Sequence, residues 1–86
     1  MKYGYIAFGT MKPEVSVDNV GKAMEAVKKV AEKHDIKIKM YGFPYGVTEN
    51  FVAVYASDKG LDNYQAFAME ADLPYSGART HQVVSP

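Results

Sequence analysis

The sequence contains no cysteine, which excludes disulfide bonds, thiolate metal sites and a cysteine nucleophile. Its two histidines, His34 and His81, lie far apart among scattered carboxylates and do not have the spacing of a metal-binding motif. No apolar run approaches the ~18 residues of a membrane-spanning helix, and the start Met1–Tyr5 lacks the features of a signal peptide. We therefore expect a cytoplasmic protein without metal or other cofactor.

The chain also lacks net charge, since ten Lys and Arg residues balance ten Asp and Glu residues. This balance argues against nucleic acid or an anionic membrane as the main partner. The 86 residues predict a single domain over 1–86. A domain of this size buries only about 60–65% of its unfolded surface. With disulfides excluded, a second subunit is the leading way to stabilise it.

Three segments have the alternation of β-strands. The segment 49–57 is apolar on both faces, which is typical of a strand in the middle of a sheet, and 2–9 has the same character. The segment 36–41 alternates strictly, with Ile36, Ile38 and Met40 predicted inward and Lys37, Lys39 and Tyr41 outward. Lysines commonly protect an edge strand from pairing, so this strand is predicted at a sheet edge.

Two helices and a fourth strand complete the pattern. Apolar residues recur at helical spacing from Val17 to Ala31, after Ser16 as a candidate N-cap, and predict a helix to about Lys33 or His34. A second helix is predicted from Ser57 or Asp58 to Asp72, with Leu61, Tyr64, Phe67 or Ala68, and Ala71 as its buried stripe. The last strand is predicted over 79–84, with Val83 and Val84 leaving its inward face ambiguous. The order strand, helix, strand, strand, helix, strand predicts an α+β ferredoxin-like βαββαβ fold with the first and third strands central.

Two helices can cover only one face of a four-stranded sheet. We predict that this face carries Ile6, Phe8, Ile36, Ile38, Met40, Val52 and Val54, and that the uncovered face carries Tyr3, Tyr5, Tyr41, Phe51 and Tyr55. Each ring can bury ~150–250 Å², so five rings exceed the apolar patch that a soluble monomer usually exposes. The favoured cover is a second copy packed face to face. The alternatives are single-stranded nucleic acid stacked on the rings, or tyrosines left half-exposed.

The nucleic-acid alternative has a specific weakness. The third strand lacks the Lys/Arg-Gly-Phe/Tyr-Gly/Ala-Phe pattern of RNA-recognition domains, because Ala53 stands where that pattern has an aromatic residue. Our predicted partners are therefore a second copy of this chain and a small apolar ligand, with no nucleic acid and no membrane.

The element order, the Tyr-rich first strand, Pro44-Tyr45-Gly46 and the segment 49–55 together resemble the dimeric α+β barrel superfamily. The nearest similarity is to the GYD and antibiotic-monooxygenase-like small domains, although the GYD tripeptide is absent and Gly46-Val47-Thr48 stands near its place. The resemblance implies two sheets paired into a barrel and a cleft between sheet and helices. Such clefts serve oxygenases, isomerases, haem-degrading enzymes and ligand-binding modules.

Three functions are consistent with these observations. The first is binding of a small apolar or aromatic molecule in a cavity lined by Tyr3, Tyr5, Tyr41, Tyr45, Asn50, Phe51 and Tyr55. The second is a cofactor-independent monooxygenase or isomerase, with His81 as general base beside a tyrosine and Asn50. The third is a structural or regulatory subunit that only assembles. His81 also fits a surface residue of an edge strand, and turn formation explains the pair Glu49-Asn50 as well as catalysis does.

Overall fold

A computed structural model describes residues 1–86 of the chain. The elements are listed in chain order: β1 Tyr3–Met11, α1 Val20–Lys33, β2 Ile36–Gly42, β3 Phe51–Ser57, α2 Leu61–Glu70 and β4 Tyr75–Val84. The four strands form one antiparallel sheet in the order β2-β3-β1-β4. The two strands predicted to be central are central, and the lysine-bearing strand lies at an edge. Neither helix has the length and apolarity that a bilayer span requires.

Both helices begin later than predicted, because the candidate cap Ser16 lies in a turn before α1 and Ser57, where the second helix was predicted to begin, ends β3. Asn19 precedes α1, and its side-chain oxygen accepts a hydrogen bond from the backbone N–H of Ser16 at 2.8 Å. Ser57 is the buried end of β3, where its hydroxyl donates to the carbonyl of Asp35 at 3.0 Å and accepts from the N–H of Lys59 at 3.0 Å. The side-chain oxygens of these polar residues therefore organise the approach to each helix and do not cap its first turn.

On the central strands β1 and β3, the helices cover the face that was predicted to be uncovered. Tyr5, Phe51 and Tyr55 are fully buried on the helix side, as are the small residues Ala7 and Ala53. The residues that the prediction placed under the helices and that instead lie on the other side are Ile6, Phe8, Met40, Val52 and Val54. The buried residues of α1 are short or unbranched, namely Val20, Met24, Val27 and Ala31. Large rings from the sheet fill the layer that these short side chains leave open, because protein interiors are close-packed.

A β-bulge explains the error in β2. Ile38 pairs with Tyr55 and Met40 pairs with Val54, so Lys39 has no partner on β3. One extra residue inverts the alternation of side chains beyond it. Ile36 and Ile38 therefore face the helices as predicted. Met40 is turned to the open side, where it is 64% exposed, and Tyr41 is turned to the helix side, with its ring 6.1 Å from that of Phe51.

A second bulge lies in β4, which begins at Tyr75, earlier than the predicted strand. Phe8 pairs with Arg79 and Thr10 with Ser76, so two residues of β4 stand opposite Gly9, and one of them, Gly77, has φ +60°. Beyond the bulge the register is regular to Val84. Val83 lies opposite Gly4, and Val84 opposite Tyr3, so the two valines point to opposite faces of the sheet.

The side chain of Tyr75 lies so close to the backbone of Gly9 that no other residue fits at this position without a clash. A Cβ added at Gly9 would lie 2.5 Å from Cδ2 of Tyr75 and 3.1 Å from its Cβ. We expect Gly9→Ala to lower the free energy of unfolding by about 1–3 kcal/mol through overpacking, measured by urea denaturation. Gly42→Ala is the matched control, since no atom lies within 4 Å of its added Cβ. Equal stability changes in the two variants would contradict the proposed clash.

Candidate functional site

Six aromatic residues pack together between the sheet and α2, and we call them the ring cluster. Its members are Tyr5, Phe51, Tyr55, Tyr64, Phe67 and Tyr75, each at most 6% exposed. Tyr64 of α2 stacks on Tyr5 of β1 with ring centroids 4.4 Å apart and planes inclined by 14°. Phe67 meets Tyr55 edge-on at 5.2 Å, and Tyr75 stacks on Phe51 at 5.3 Å. These offset and edge-to-face arrangements are the favourable ones for aromatic pairs.

Three hydroxyl groups of the cluster, those of Tyr5, Tyr55 and Tyr75, have hydrogen-bond partners within the protein. The hydroxyl oxygens of Tyr55 and Tyr75 lie 2.6 Å apart in a buried hydrogen bond. The hydroxyl of Tyr5 accepts from the side-chain amide of Gln82 at 3.2 Å and donates to the carbonyl of Lys59 at 3.4 Å. No buried side-chain nitrogen or oxygen lacks a hydrogen-bond partner. The cluster is therefore a satisfied polar network inside an apolar layer.

Burial keeps these phenols protonated. It raises the pKa of Tyr55 and of Tyr75 above the ordinary value near 10, because the low-polarity surroundings disfavour the phenolate. The pKa of Tyr64 is raised for the same reason. Near neutral pH the three side chains can donate and accept hydrogen bonds, but none of them is poised to act as a phenolate base.

The hydroxyl-bearing end of the cluster approaches the β4 edge, where the helix layer does not extend. Thr80 pairs with buried Ala7 and Gln82 pairs with buried Tyr5, so both point to the helix side of the sheet. Both are nevertheless exposed to solvent. A polar margin thus borders the ring cluster along β4.

The other side of the sheet carries mainly aliphatic side chains and one aromatic ring, and we call it the open face. Its apolar residues are Ile6, Phe8, Met40, Val52, Val54 and Val83. The side chains of β1 and β3 there are partly buried by their sheet neighbours, whereas Met40 and Val83 are more than half exposed. Neither helix lies over this face, because both pack on the ring-bearing side.

A charged group borders the open face at β4. The guanidinium of Arg79 lies 4.7 Å from the ring centroid of Phe8. It donates to both carboxylate oxygens of Glu49, at 3.0 and 3.3 Å, and these hydrogen bonds lower the pKa of Glu49. Arg79 also donates to Nε2 of His81 at 2.8 Å. Since a guanidinium has no acceptor, this geometry requires the neutral imidazole with its proton on Nδ1.

Comparison with known proteins identifies the architecture. A dimeric ferredoxin-like protein of unknown function from Thermobifida fusca YX superposes with a TM-score of 0.61 at 20% identity, covering 99% of this chain and 92% of that one. A dimeric protein of unknown function and ferredoxin-like fold from Bacteroides fragilis NCTC 9343 gives a TM-score of 0.52 at 17% identity, over 96% and 95% of the two chains. This chain has a ferredoxin-like fold. No protein-family model and no curated protein matches it.

The ferredoxin-like sheet separates the predicted catalytic residues. His81 pairs with Ile6 on the open face, 6.4 Å from the ring of Phe8, whereas Tyr5 and Tyr55 lie beneath the helices. The side-chain oxygen of Asn50 accepts from the backbone N–H of Met11 at 2.8 Å and so closes the end of β1. The predicted grouping of His81 with a tyrosine and Asn50 is not formed within the chain.

The remaining predicted ligand-binding residues are dispersed. Tyr3 stacks loosely on Tyr5 at 6.5 Å, and Tyr41 lies at the β2 edge of the cluster. Tyr45 is fully exposed in the loop between β2 and β3. Of the seven, only Tyr5, Phe51 and Tyr55 belong to the ring cluster.

Three members of the ring cluster were not among the predicted site residues. Tyr64 and Phe67 were identifiable as the buried stripe of the second helix. Tyr75 had no such signal, because it follows Pro74 in a segment that reads as a turn.

The three surface cavities do not adjoin the ring cluster. They have volumes of about 450, 290 and 230 Å³. The two larger ones share Glu32, Ile36 and Lys37 near the end of α1, and the third lies beside Lys12 and Asp72. No residue of the ring cluster lines any of them, because its rings contact one another directly. No group of three or more His, Asp or Glu side chains is arranged to hold a metal.

The buried hydrogen bond between Tyr55 and Tyr75 should couple these two residues energetically. We expect Tyr55→Phe and Tyr75→Phe each to lower the free energy of unfolding by about 1–3 kcal/mol, because each leaves a buried hydroxyl unpaired. The double variant should lose at least about 0.5 kcal/mol less than the sum. Tyr45→Phe serves as the control, since its hydroxyl is in solvent. Additive losses in the double variant would mean that the bond is not formed.

Proposed function

We propose that this protein acts as a homodimer whose two ferredoxin-like sheets pack together through their open faces. The observation that carries the proposal is the composition of this face, which offers Ile6, Val52 and Val54 at its centre and exposed Met40 and Val83 toward its edges. Soluble monomers rarely leave an apolar patch of this kind in contact with water. A second copy would cover it with an identical aliphatic surface.

The charges at the β4 margin of the open face are compatible with self-association, and the lysine of the same face, Lys37 opposite Ala56, is exposed at the β2 edge, where its long side chain can keep the ammonium in water. Arg79 and Glu49 form an ion pair, and His81 is neutral in the geometry described. Packing this margin against a second copy would therefore bury no unpaired charge, which is the costly case. The Thermobifida and Bacteroides proteins are described as dimeric, which supports self-association of this chain. The protein would serve as an assembling module, with its ring cluster stabilising each subunit.

A charge placed on the open face should dissociate the dimer. We expect the wild-type protein to sediment with twice the 9.5 kDa mass of one chain at micromolar concentration. Val54→Lys should raise the dimer Kd by about 100-fold or more, because it buries an unpaired ammonium. Val17→Lys is the control, since Val17 is 66% exposed in the turn before α1. A wild-type chain that sediments as a monomer, or equal dissociation by both variants, would refute the assembly.

A second function is favoured by the polar margin of the ring cluster. We propose that a small aromatic molecule with a hydroxyl group binds beside Tyr5, Thr80 and Gln82. In support, the Tyr5 hydroxyl and the Gln82 amide meet there at an edge that no helix covers. Small-molecule sites are typically apolar with a few placed polar groups.

Binding at this margin can be tested with 1-naphthol as the probe. We expect the amide signals of Thr80 and Gln82 to shift on titration in heteronuclear NMR spectra. Gln82→Leu should weaken the affinity up to about tenfold, through loss of one hydrogen bond. Gln65→Leu, on the exposed side of α2, should leave the affinity unchanged. The site is disproved if the shifts are absent at millimolar probe or if both variants bind equally.

A further inference from the structure

The outer edge of β4 is unprotected. β4 is the last strand of the sheet, so its residues 79–84 pair with β1 on one side only. All six of these residues are exposed. Alternate backbone N–H and C=O groups along such an edge have no partner in the sheet and form a template for another strand.

The opposite edge of the sheet is protected in two ways. β2 carries Lys37 and Lys39, both exposed, and its bulge at Lys39 interrupts the ladder. Lysines and bulges are the devices by which natural sheets prevent edge-to-edge pairing. Residues 79–84 contain neither lysine nor proline, and the β4 bulge at Gly77 lies before them. The chain thus blocks one edge of its sheet and leaves the other available.

The charged side chains of the two edges favour β4 over β2 of a second copy as the partner of this edge. Arg79 is the only Lys, Arg, Asp or Glu residue of β4, and its guanidinium is bound by Glu49. A β4 strand approaching this edge would therefore bring no uncompensated charge. A β2 strand would instead bring Lys37 and Lys39, neither of which forms an ion pair, and would leave two uncompensated charges at the contact.

We propose that β4 pairs antiparallel with β4 of a second copy and extends the two sheets into one of eight strands. Such an isologous contact satisfies both exposed edges at once, and only the protected β2 edges remain, so growth stops. The contact uses the edge of the sheet, whereas the dimer proposed above uses its open face. The two contacts use different surfaces and are independent of one another.

The absence of cysteine allows this pairing to be tested by single-cysteine cross-linking. The variants are Thr80→Cys, Gln82→Cys and Val84→Cys, whose side chains point to the helix side and so away from the open face. Opposed Cβ atoms in antiparallel strands lie about 4.5–5.5 Å apart, close to the separation that a disulfide spans. We expect one of the three to form disulfide-linked dimers at least about tenfold faster than Lys39→Cys on the β2 edge, because pairing raises the effective thiol concentration.

Two controls separate this contact from the face-to-face dimer. Cross-linking through β4 should persist when Val54→Lys is added, because the open face does not contribute to it. The proposal is overturned if no β4 position reacts faster than Lys39→Cys, or if the β4 variants cross-link preferentially to Lys39→Cys in mixtures. In wild-type protein, amide hydrogen exchange should protect all of 79–84 when the protein is assembled. Protection of only alternate amides would indicate a free edge and would also overturn the pairing.

Discussion

The packing of aromatic rings between the sheet and α2 is the constraint on which the rest of the molecule depends. Tyr64 and Phe67 lie three residues apart on one side of α2, and both contact Tyr55 in the centre of the sheet. The chain has no disulfide, and no side chains are arranged to bind a metal. Burial of these large rings, together with the hydrogen bonds among their hydroxyls, is what holds α2 on the sheet.

This packing determines the character of the opposite face. Side chains alternate along a strand, so directing Tyr5 and Tyr55 toward the helices directs Ile6 and Val54 away from them. The result is an aliphatic surface, bordered by the ion pair of Arg79 and Glu49. The face that the chain offers to a partner is therefore a consequence of how its interior is filled.

Much of the fold could be predicted from the sequence, and the errors share one physical origin. The element order, the central strands and the lysine-protected edge all follow from local patterns. The face assignment failed because both faces of the central strands are apolar, and alternation separates two sets of residues without saying which set meets the helices. The bulge at Lys39 then places Met40 on the open face and Tyr41 on the helix side, the reverse of the prediction. No local sequence pattern indicates a single extra residue in a strand.

The candidate site was predicted only in part, for a similar reason. Tyr5, Phe51 and Tyr55 were identified as one group because they alternate on central strands. The partner of Tyr55 was not identified, because the hydrogen bond to Tyr75 joins residues twenty positions apart and depends on how β4 lies against β1. His81 was predicted to lie beside a tyrosine, but it lies across the sheet from the ring cluster.

The sequence by itself determined which residues of the central strands share a face, which strands are central, which edge is protected and which chemistries are excluded. Periodicity and composition are local properties, and they suffice for these conclusions. Only the tertiary structure decided which face the helices cover, which hydroxyls meet and where Arg79 finds Glu49. These outcomes depend on how side-chain volumes from distant segments fill one common space.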